Sequence, residues 1–383
     1  MSDPIMVGCD LHDKSMFLKL AQGRAEPETL SVANTRVGRA RLIAQLQARA
    51  VAAGGVRVIL VYEASGLGFG WCDELQDAGI ECAVLAPTKI TRSPRQQSNK
   101  TDERDAQALL ELLRGHVLAG NELPRVWIPD AATRDDRELV RARLDLAEKQ
   151  TVLKTQLKCL LKRRGVTRPE SSGSGWTKRY RGWLQWLTLQ EEQPSGWRQA
   201  LASLLRQLSA CEQELQELDA GIETLAKTPR YVTAVTELNR LTGVGLLTAM
   251  VFLSEIGDVR RFANRREISA YLGLVPKAGE SGTKTDRKGH ITRQGPSRVR
   301  RVLCQAAWAR VRYEPSEESA YARIVSRNPR KKKIAVVAVM RRLAVRMWHR
   351  ACAAQGPACD APAREGLAHR RPDQPTRRPK KAG

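Results

Sequence analysis

The sequence lacks the features of a membrane or secreted protein. Its 383 residues contain no run of about 18 apolar residues, which a membrane-spanning helix would require. The first ten residues, MSDPIMVGCD, show no charged segment followed by an apolar core, so they predict no secretory signal. We therefore expect a cytoplasmic protein.

Cysteine is present in eight copies but never in the C-x-x-C spacing of common zinc sites and redox motifs. Most of the eight stand in apolar runs, where cysteine packs as a small hydrophobic residue. The sequence therefore predicts neither a zinc centre nor a disulfide framework.

Acidic residues are scarce relative to basic ones. The chain has 41 Asp and Glu against 65 Lys and Arg, which gives a net charge of +24. Such an excess favours a polyanionic partner. The basic segments are interleaved with turn residues more than arranged along one amphipathic helix, which favours nucleic acid over a membrane surface. In a bacterium this predicts association with the nucleoid.

The N-terminal segment has an α/β pattern. Three short strand-like runs come first, and residues 36–52 are typical of a helix. Then VRVILVYEA predicts a buried strand, residues 67–78 a helix, and ECAVLAP a second buried strand. A further helix begins in NKTDERDAQALLELL. This order predicts a mixed central sheet with helices on both faces.

The middle segment is charged and helical, and one of its helices carries a heptad seam. The seam predicts either a dimerising coiled coil or an antiparallel hairpin with a helix over 137–163, and the pattern does not choose between them. The stretch ESSGSGWTKRYRGWLQW is consistent with base stacking or with aromatic core filling. The seam residues are Leu201, Leu204, Leu208, Cys211, Leu215, Leu218, Ile222 and Leu225.

The C-terminal segment becomes apolar again and is predicted to be mostly helical. Gly243 and Gly245 predict a tight turn between two helices, a helix-hairpin-helix-like element whose amides approach a phosphate. Basic stretches at 277–301 and 327–333 predict contacts to a nucleic-acid backbone. The chain exceeds the length that one core organises, so four regions are predicted: 1–125, 126–235, 236–352, and a disordered basic tail over 353–383.

Four acidic residues are candidates for one metal site. Asp10 and Glu63 end strand-like runs, and Asp102 and Asp105 lie three residues apart at a helix start, so all four are expected to converge. Crowded carboxylates need a cation, which predicts Mg²⁺ as a pair of ions, with Mn²⁺ as a substitute. The alternative is structural: Asp102 caps the helix and Asp105 is its N3 acid.

These motifs resemble a known family. VGCDLHDK, VYEASG and NKTDERDA are similar to the Asp, Glu, Asp-x-x-Asp pattern of RuvC-like, RNase H-like nuclease domains. The form is that of the DEDD transposases of the insertion sequence one-hundred-and-ten family. The segment from LTGVGLLTAM to GPSRVRRVL resembles that family's C-terminal transposase domain.

The resemblance implies a recombinase whose acids hold Mg²⁺ and whose serine attacks DNA. The matching serine is Ser281 in GESGTK, with Ser269 and Ser297 as lesser candidates, and its attack would leave a covalent phosphoserine link. The resemblance also implies donor and target DNA, a noncoding guide RNA, and a dimer or tetramer formed through the coiled coil. Two alternatives stay open: a metal nuclease of the Holliday-junction-resolving kind that uses water, and a noncatalytic nucleic-acid scaffold.

A further set of residues is predicted to contact nucleic acid because each lies in a basic or glycine-containing stretch. They are Lys100, Arg104, Gly243, Gly245, Lys284, Arg287, Lys288, Arg293, Arg298, Arg301, Arg330, Lys331, Lys332 and Lys333.

Overall fold

The computed structural model describes residues 3–90, 101–190, 195–278, 288–327 and 329–355. The chain divides into two compact units, Met1–Ile128 and Pro129–Gly383. Within the described ranges, every helix is too short or too polar to cross a bilayer. The tail predicted to be disordered lies outside the described residues from residue 356 onward.

The first unit is built on a mixed five-stranded sheet in the order β3-β2-β1-β4-β5. The first three strands form an antiparallel meander, and β4 and β5 run parallel to β1. Its elements are β1 (Ile5–Leu11), β2 (Ser15–Gln22), β3 (Glu28–Ala33), α1 (Arg36–Ala52), β4 (Val58–Glu63), α2 (Gly70–Asp77), β5 (Glu81–Leu85) and α3 (Asp102–Ala119). The predicted sheet, of the RNase H/RuvC-like type, is confirmed.

Helices cover both faces of this sheet, as expected. Alternate residues of each strand point to opposite faces. On one face, strand residues such as Val7 and Leu60 pack with Leu42 of α1 and Leu75 of α2. On the other face, residues such as Met6 pack against α3 in a second cluster. The central strands are therefore buried on both sides, which explains their almost continuous apolar sequence.

The second unit is mainly helical. Its elements are α4 (Ala131–Arg163), α5 (Lys178–Thr188), α6 (Gly196–Ala226), α7 (Val232–Asn239), α8 (Leu246–Ile256), α9 (Arg265–Tyr271), β6 (Pro276–Ala278), β7 (Lys288–Ile291), α10 (Ser297–Tyr313), α11 (Pro315–Arg327) and α12 (Lys332–Ala354). The antiparallel pair β6–β7 was not predicted, because its strands have only three and four residues.

The heptad seam of α6 is buried within the chain. Helices α4 and α6 run antiparallel, since Arg143 pairs with Asp219 at 2.7 Å while Gln150, further along α4, donates to Glu212, an earlier residue of α6. Leu201 and Leu208 pack with residues of α4 and α5, and Ile222 joins the C-terminal core. Of the two predicted arrangements, the structure shows the intrachain hairpin.

The aromatic side chains of the stretch ESSGSGWTKRYRGWLQW mostly fill the core between α4, α5 and α6. Tyr180 is buried, makes an edge contact with Trp176 and stacks on Trp183. The Arg168 guanidinium lies 3.9 Å from the Tyr180 ring centroid. Trp186 is the exception, with about half of its surface exposed.

Gly243 makes the predicted turn between α7 and α8, but for a packing reason. Its φ of 82° is in the left-handed region, and a Cβ there would lie 2.7 Å from the Ala306 carbonyl oxygen of α10. Both constraints require glycine. Gly245, in contrast, precedes α8 and has open space around its Cα, so a role in phosphate binding stays a prediction for it.

Candidate active site and nucleic-acid interface

The helix α3 touches the sheet directly at Gly8 of β1. A Cβ on Gly8 would lie 2.3 Å from the Ala106 carbonyl oxygen and 2.4 Å from the Leu110 amide nitrogen. Both atoms belong to the α3 backbone, so neither can move aside as a flexible side chain would. Because Gly8 lies two residues before Asp10, and Ala106 follows Asp105, this contact brings the two predicted acid-bearing segments together.

We expect Gly8→Ala to destabilise the chain by about 2 kcal/mol, because its methyl group must push the two backbones apart. Urea denaturation followed by circular dichroism measures this change. Gly70→Ala is the matched control, since a Cβ at Gly70, the first residue of α2, meets nothing within 4 Å. Equal stability of the two variants would contradict the proposed backbone contact.

Asp10 and Glu63 lie on the face of the sheet that α3 covers. Strands β1 and β4 are parallel neighbours with Cys9 beside Tyr62, so the register continued by one residue places Asp10 beside Glu63. Alternation places both acids on the side of Met6 and Val61, which pack with α3. Cys9 belongs to the opposite face, and burial raises the pKa of its thiol.

The start of α3 is capped by Thr101. Its hydroxyl accepts a hydrogen bond from the Arg104 amide at 3.3 Å, and Asp102 is the first helical residue. The interpretation of Asp102 as the cap, with Asp105 at N3, is therefore wrong by one position. The Asp102 side chain is 57% exposed, whereas Asp105 is buried.

We expect Thr101→Ala to lower the free energy of unfolding by about 1 kcal/mol, because a helix amide loses its acceptor. Asp102→Asn should change it by less than half of that, since loss of the helix-dipole interaction is offset by weaker repulsion from nearby acids. Urea denaturation in the presence of a chelator tests both variants. A larger loss for Asp102→Asn would restore Asp102 as the capping residue.

An ion pair between β2 and α3 holds the helix start in place. Lys19 lies beside Gly8 in the β1–β2 register, and its ammonium group is 2.6 Å from Glu103 and 2.6 Å from the Thr29 hydroxyl. The hydrogen bond from Lys19 lowers the pKa of Glu103. Glu103 thus serves helix docking.

His12 joins two of the four predicted acids. Its Nε2 lies 3.2 Å from Asp10 Oδ2 and 3.4 Å from Asp102 Oδ1. One ligand atom from each of these three residues lies within 4.8 Å of the others, and no other such group occurs among the described residues. Carboxylate and imidazole are common metal ligands, so this donor set fits a divalent cation.

Glu63 and Asp105 are not part of this close group. They lie next to it, Glu63 at the end of the neighbouring strand and Asp105 one helical turn after Asp102. Their role as metal ligands stays a prediction. Sequence reasoning missed His12, although its position two residues after Asp10 was the available signal.

A basic groove on the second unit is lined by residues of α9, the β6–β7 pair, α11 and α12. Its volume is about 1690 Å³, and no acidic residue is among the described residues that line it. A surface of this charge suits a phosphate backbone. The basic lining residues are Arg265, Arg266, His290, Arg293, Arg330, Lys332, Lys333, Arg341, Arg342 and Arg346.

Glu317 holds two arginines, Arg342 and Arg346, at this groove. The buried Glu317 carboxylate forms an ion pair with Arg346 at 2.9 Å and also pairs with Arg342 and the buried Arg310. One carboxylate thus fixes three guanidinium groups and leaves the network positive.

Arg293 has a φ of 57°, a conformation uncommon outside glycine that is often found at functional sites.

The predicted nucleic-acid contacts have different surroundings. Arg298 pairs with Asp145 at 2.9 Å and Arg301 pairs with Glu148, so both bind α4 within the chain. Arg104 is exposed at the start of α3. For Lys288 and Lys331 only the backbone is described. The residues outside the described ranges are Lys100, Ser281, Lys284 and Arg287.

The two lesser candidates for the nucleophile, Ser269 and Ser297, differ in their exposure to solvent. Ser269 is buried and donates its hydroxyl to the Arg265 carbonyl at 2.7 Å, so it is not accessible to a DNA strand. Ser297 is exposed at the first position of α10.

Comparisons with known proteins match two separate segments of the chain. A family model described as "Transposase", for the DEDD transposases of IS110 elements, matches residues 7–164. A second, described as "Transposase IS116/IS110/IS902 family", matches residues 235–322. Together the two matches cover more than half of the chain. The chain belongs to the IS110 family of DEDD transposases.

Relatives in the IS110 family are similar over much of the chain. The putative transposase y4qE of Sinorhizobium fredii is 36% identical over 262 residues, which is 67% of this chain and 60% of the relative. A probable family 20 transposase of Pseudomonas aeruginosa is 27% identical over 73% of this chain and 79% of its own length. The transposase of element IS1111A of Coxiella burnetii is 26% identical, covering 66% of each. The matched region thus spans less than two thirds of the Sinorhizobium relative.

Proposed function

We propose that the chain is a DNA recombinase that cleaves and rejoins the strands of an insertion element. In this proposal Asp10, Glu63, Asp102 and Asp105 hold Mg²⁺, and Ser281 is the nucleophile. The donor and target DNA are the substrates, and the basic groove binds a phosphate backbone.

The observation that carries the proposal is the meeting of acids from separate segments on one face of the sheet. Asp10, His12 and Asp102 offer ligand atoms within 4.8 Å of one another. Two carboxylates and one imidazole are brought together here from β1, the turn that follows it and the start of α3. Such an arrangement is expected where a cation binds.

The reaction that we propose conserves the phosphodiester bond energy. The Ser281 oxygen forms a bond to phosphorus, the bond from phosphorus to a sugar oxygen breaks, and the departing sugar oxygen takes up a proton. A sugar hydroxyl from another strand then attacks the phosphoserine and releases the serine. When bound, a divalent ion supplies positive charge against the phosphate and favours deprotonation of a hydroxyl.

We further propose a noncoding guide RNA and a homo-oligomer as partners. The support is the family membership together with the net charge of +24, which suits two nucleic-acid backbones. Because the seam of α6 is buried against helices of its own chain, we expect a dimer or tetramer to use other surfaces.

The test is a reconstituted reaction with the full chain and a plasmid that carries its own element. We expect strand cleavage that needs a divalent cation, accompanied by a protein–DNA adduct that survives denaturation. Cleavage without an adduct would instead support a nuclease that uses water. The absence of both, with DNA binding retained, would support a noncatalytic scaffold.

A further inference from the structure

The position of His12 is fixed by its surroundings. It lies in the turn between β1 and β2, where its amide donates to the Ser15 carbonyl at 2.9 Å. Asn34 donates to the His12 carbonyl at 2.8 Å, and Arg39 in turn donates to Asn34 at 2.9 Å. The backbone is thus held on both sides, which keeps the ring next to the acids.

The two distances from His12 to the carboxylates match those between ligands of one ion. Neighbouring ligands of an octahedral ion with bonds of about 2.1 Å lie about 3 Å apart, and those of a tetrahedral ion slightly further. His12 Nε2 is 3.2 Å from Asp10 Oδ2 and 3.4 Å from Asp102 Oδ1. The imidazole nitrogen therefore stands where a ligand would, with little movement needed.

We propose that the His12 imidazole is itself a metal ligand and makes the site selective for a first-row transition ion over Mg²⁺. Mg²⁺ prefers oxygen ligands and keeps its waters, whereas transition ions bind imidazole nitrogen well. This inference rests on the metal site of the proposed function, and it adds both a ligand and a preference among ions.

The experiment measures Mn²⁺ binding to the full-length protein. All measurements use the same pH, which is chosen above the ordinary imidazole pKa of about 6.5. Electron paramagnetic resonance of free Mn²⁺ gives the affinity, and competition gives that of Mg²⁺. Pulsed measurements on bound Mn²⁺ report a directly coordinated ¹⁴N nucleus. The variants are His12→Ala, His12→Asn and, as a control, His349→Ala, which changes an exposed histidine of α12.

In the unmodified chain and in His349→Ala we expect a ¹⁴N signal and tighter binding of Mn²⁺ than of Mg²⁺. In His12→Ala the ¹⁴N signal should vanish, and the Mn²⁺ affinity should fall by about tenfold or more, while that of Mg²⁺ changes by about threefold or less. His12→Asn, which offers an amide oxygen, should recover binding without nitrogen coupling.

Two negative results have separate meanings. If Mn²⁺ binds to the unmodified chain with no nitrogen coupling, and His12→Ala binds it equally well, His12 is only an ion-pair partner and this inference is overturned. If neither ion binds, and Asp10→Asn makes no difference, the metal site of the proposed function fails together with it. Circular dichroism confirms that each variant is folded.

Discussion

Asp10→Asn should reduce metal-dependent strand cleavage by about a thousandfold. Asp10 is the residue that joins the sheet to the His12 and Asp102 ligand atoms, and its side chain is mostly buried. A positioned ion supplies several kcal/mol of transition-state stabilisation, and each 1.4 kcal/mol corresponds to a tenfold change in rate. Cleavage rates of the variant and the unmodified chain, measured at saturating Mg²⁺ and again at saturating Mn²⁺, test this expectation.

The matched control is Asp13→Asn, which removes the same charge three residues away in an exposed turn. We expect Asp13→Asn to keep full activity. Without metal, Asp10→Asn should change the free energy of unfolding by less than about 1 kcal/mol, because it loses one ion pair but also one repelling carboxylate. If both variants cleaved DNA at the unmodified rate, Asp10 would be unnecessary for cleavage and the proposed metal site would be contradicted.

Ser281→Ala should abolish the covalent protein–DNA adduct and leave DNA and metal binding intact. The expected effect is complete loss, since alanine has no oxygen with which to form a bond to phosphorus. Denaturing gel electrophoresis of reactions with end-labelled DNA measures the adduct. Binding of the same DNA, measured by fluorescence anisotropy, separates loss of chemistry from loss of affinity.

Ser297→Ala is the control for this experiment, because Ser297 is an exposed serine within the second unit, Pro129–Gly383. It should form the adduct at the unmodified level. An undiminished adduct in Ser281→Ala would show that another residue is the nucleophile. It would not contradict the proposed metal site. Cleavage without an adduct in all three proteins would favour attack by water.

Local patterns were sufficient to predict the first unit. Residues 36–52 form a helix with the expected bounds, and the run VRVILVYEA contains the buried strand β4. Periodicity and β-branched composition report burial, and burial on both faces follows from parallel strands. The placement of Asp10 and Glu63 on one face follows from the same alternation.

The remaining features depend on contacts between distant residues. Arg298 and Arg301 lie in a basic stretch, but their partners Asp145 and Glu148 are about 150 residues earlier. The groove likewise combines residues from 265 to 346, and its charge is visible in the sequence while its shape is not. The cap was misplaced by one residue because Thr101 and Asp102 are both favourable caps.

The contact between Gly8 and the backbone of α3 also determines which changes of sequence the first unit can tolerate. The backbones of β1 and α3 meet at Gly8 without an intervening side chain. The position of α3 is therefore set by its contact with β1 rather than by β5, the strand that precedes it in sequence. We therefore expect insertions or deletions between β5 and α3 to leave the spacing of the carboxylates unchanged. The same contact leaves no room for a side chain at position 8, so we expect glycine there wherever this packing is kept.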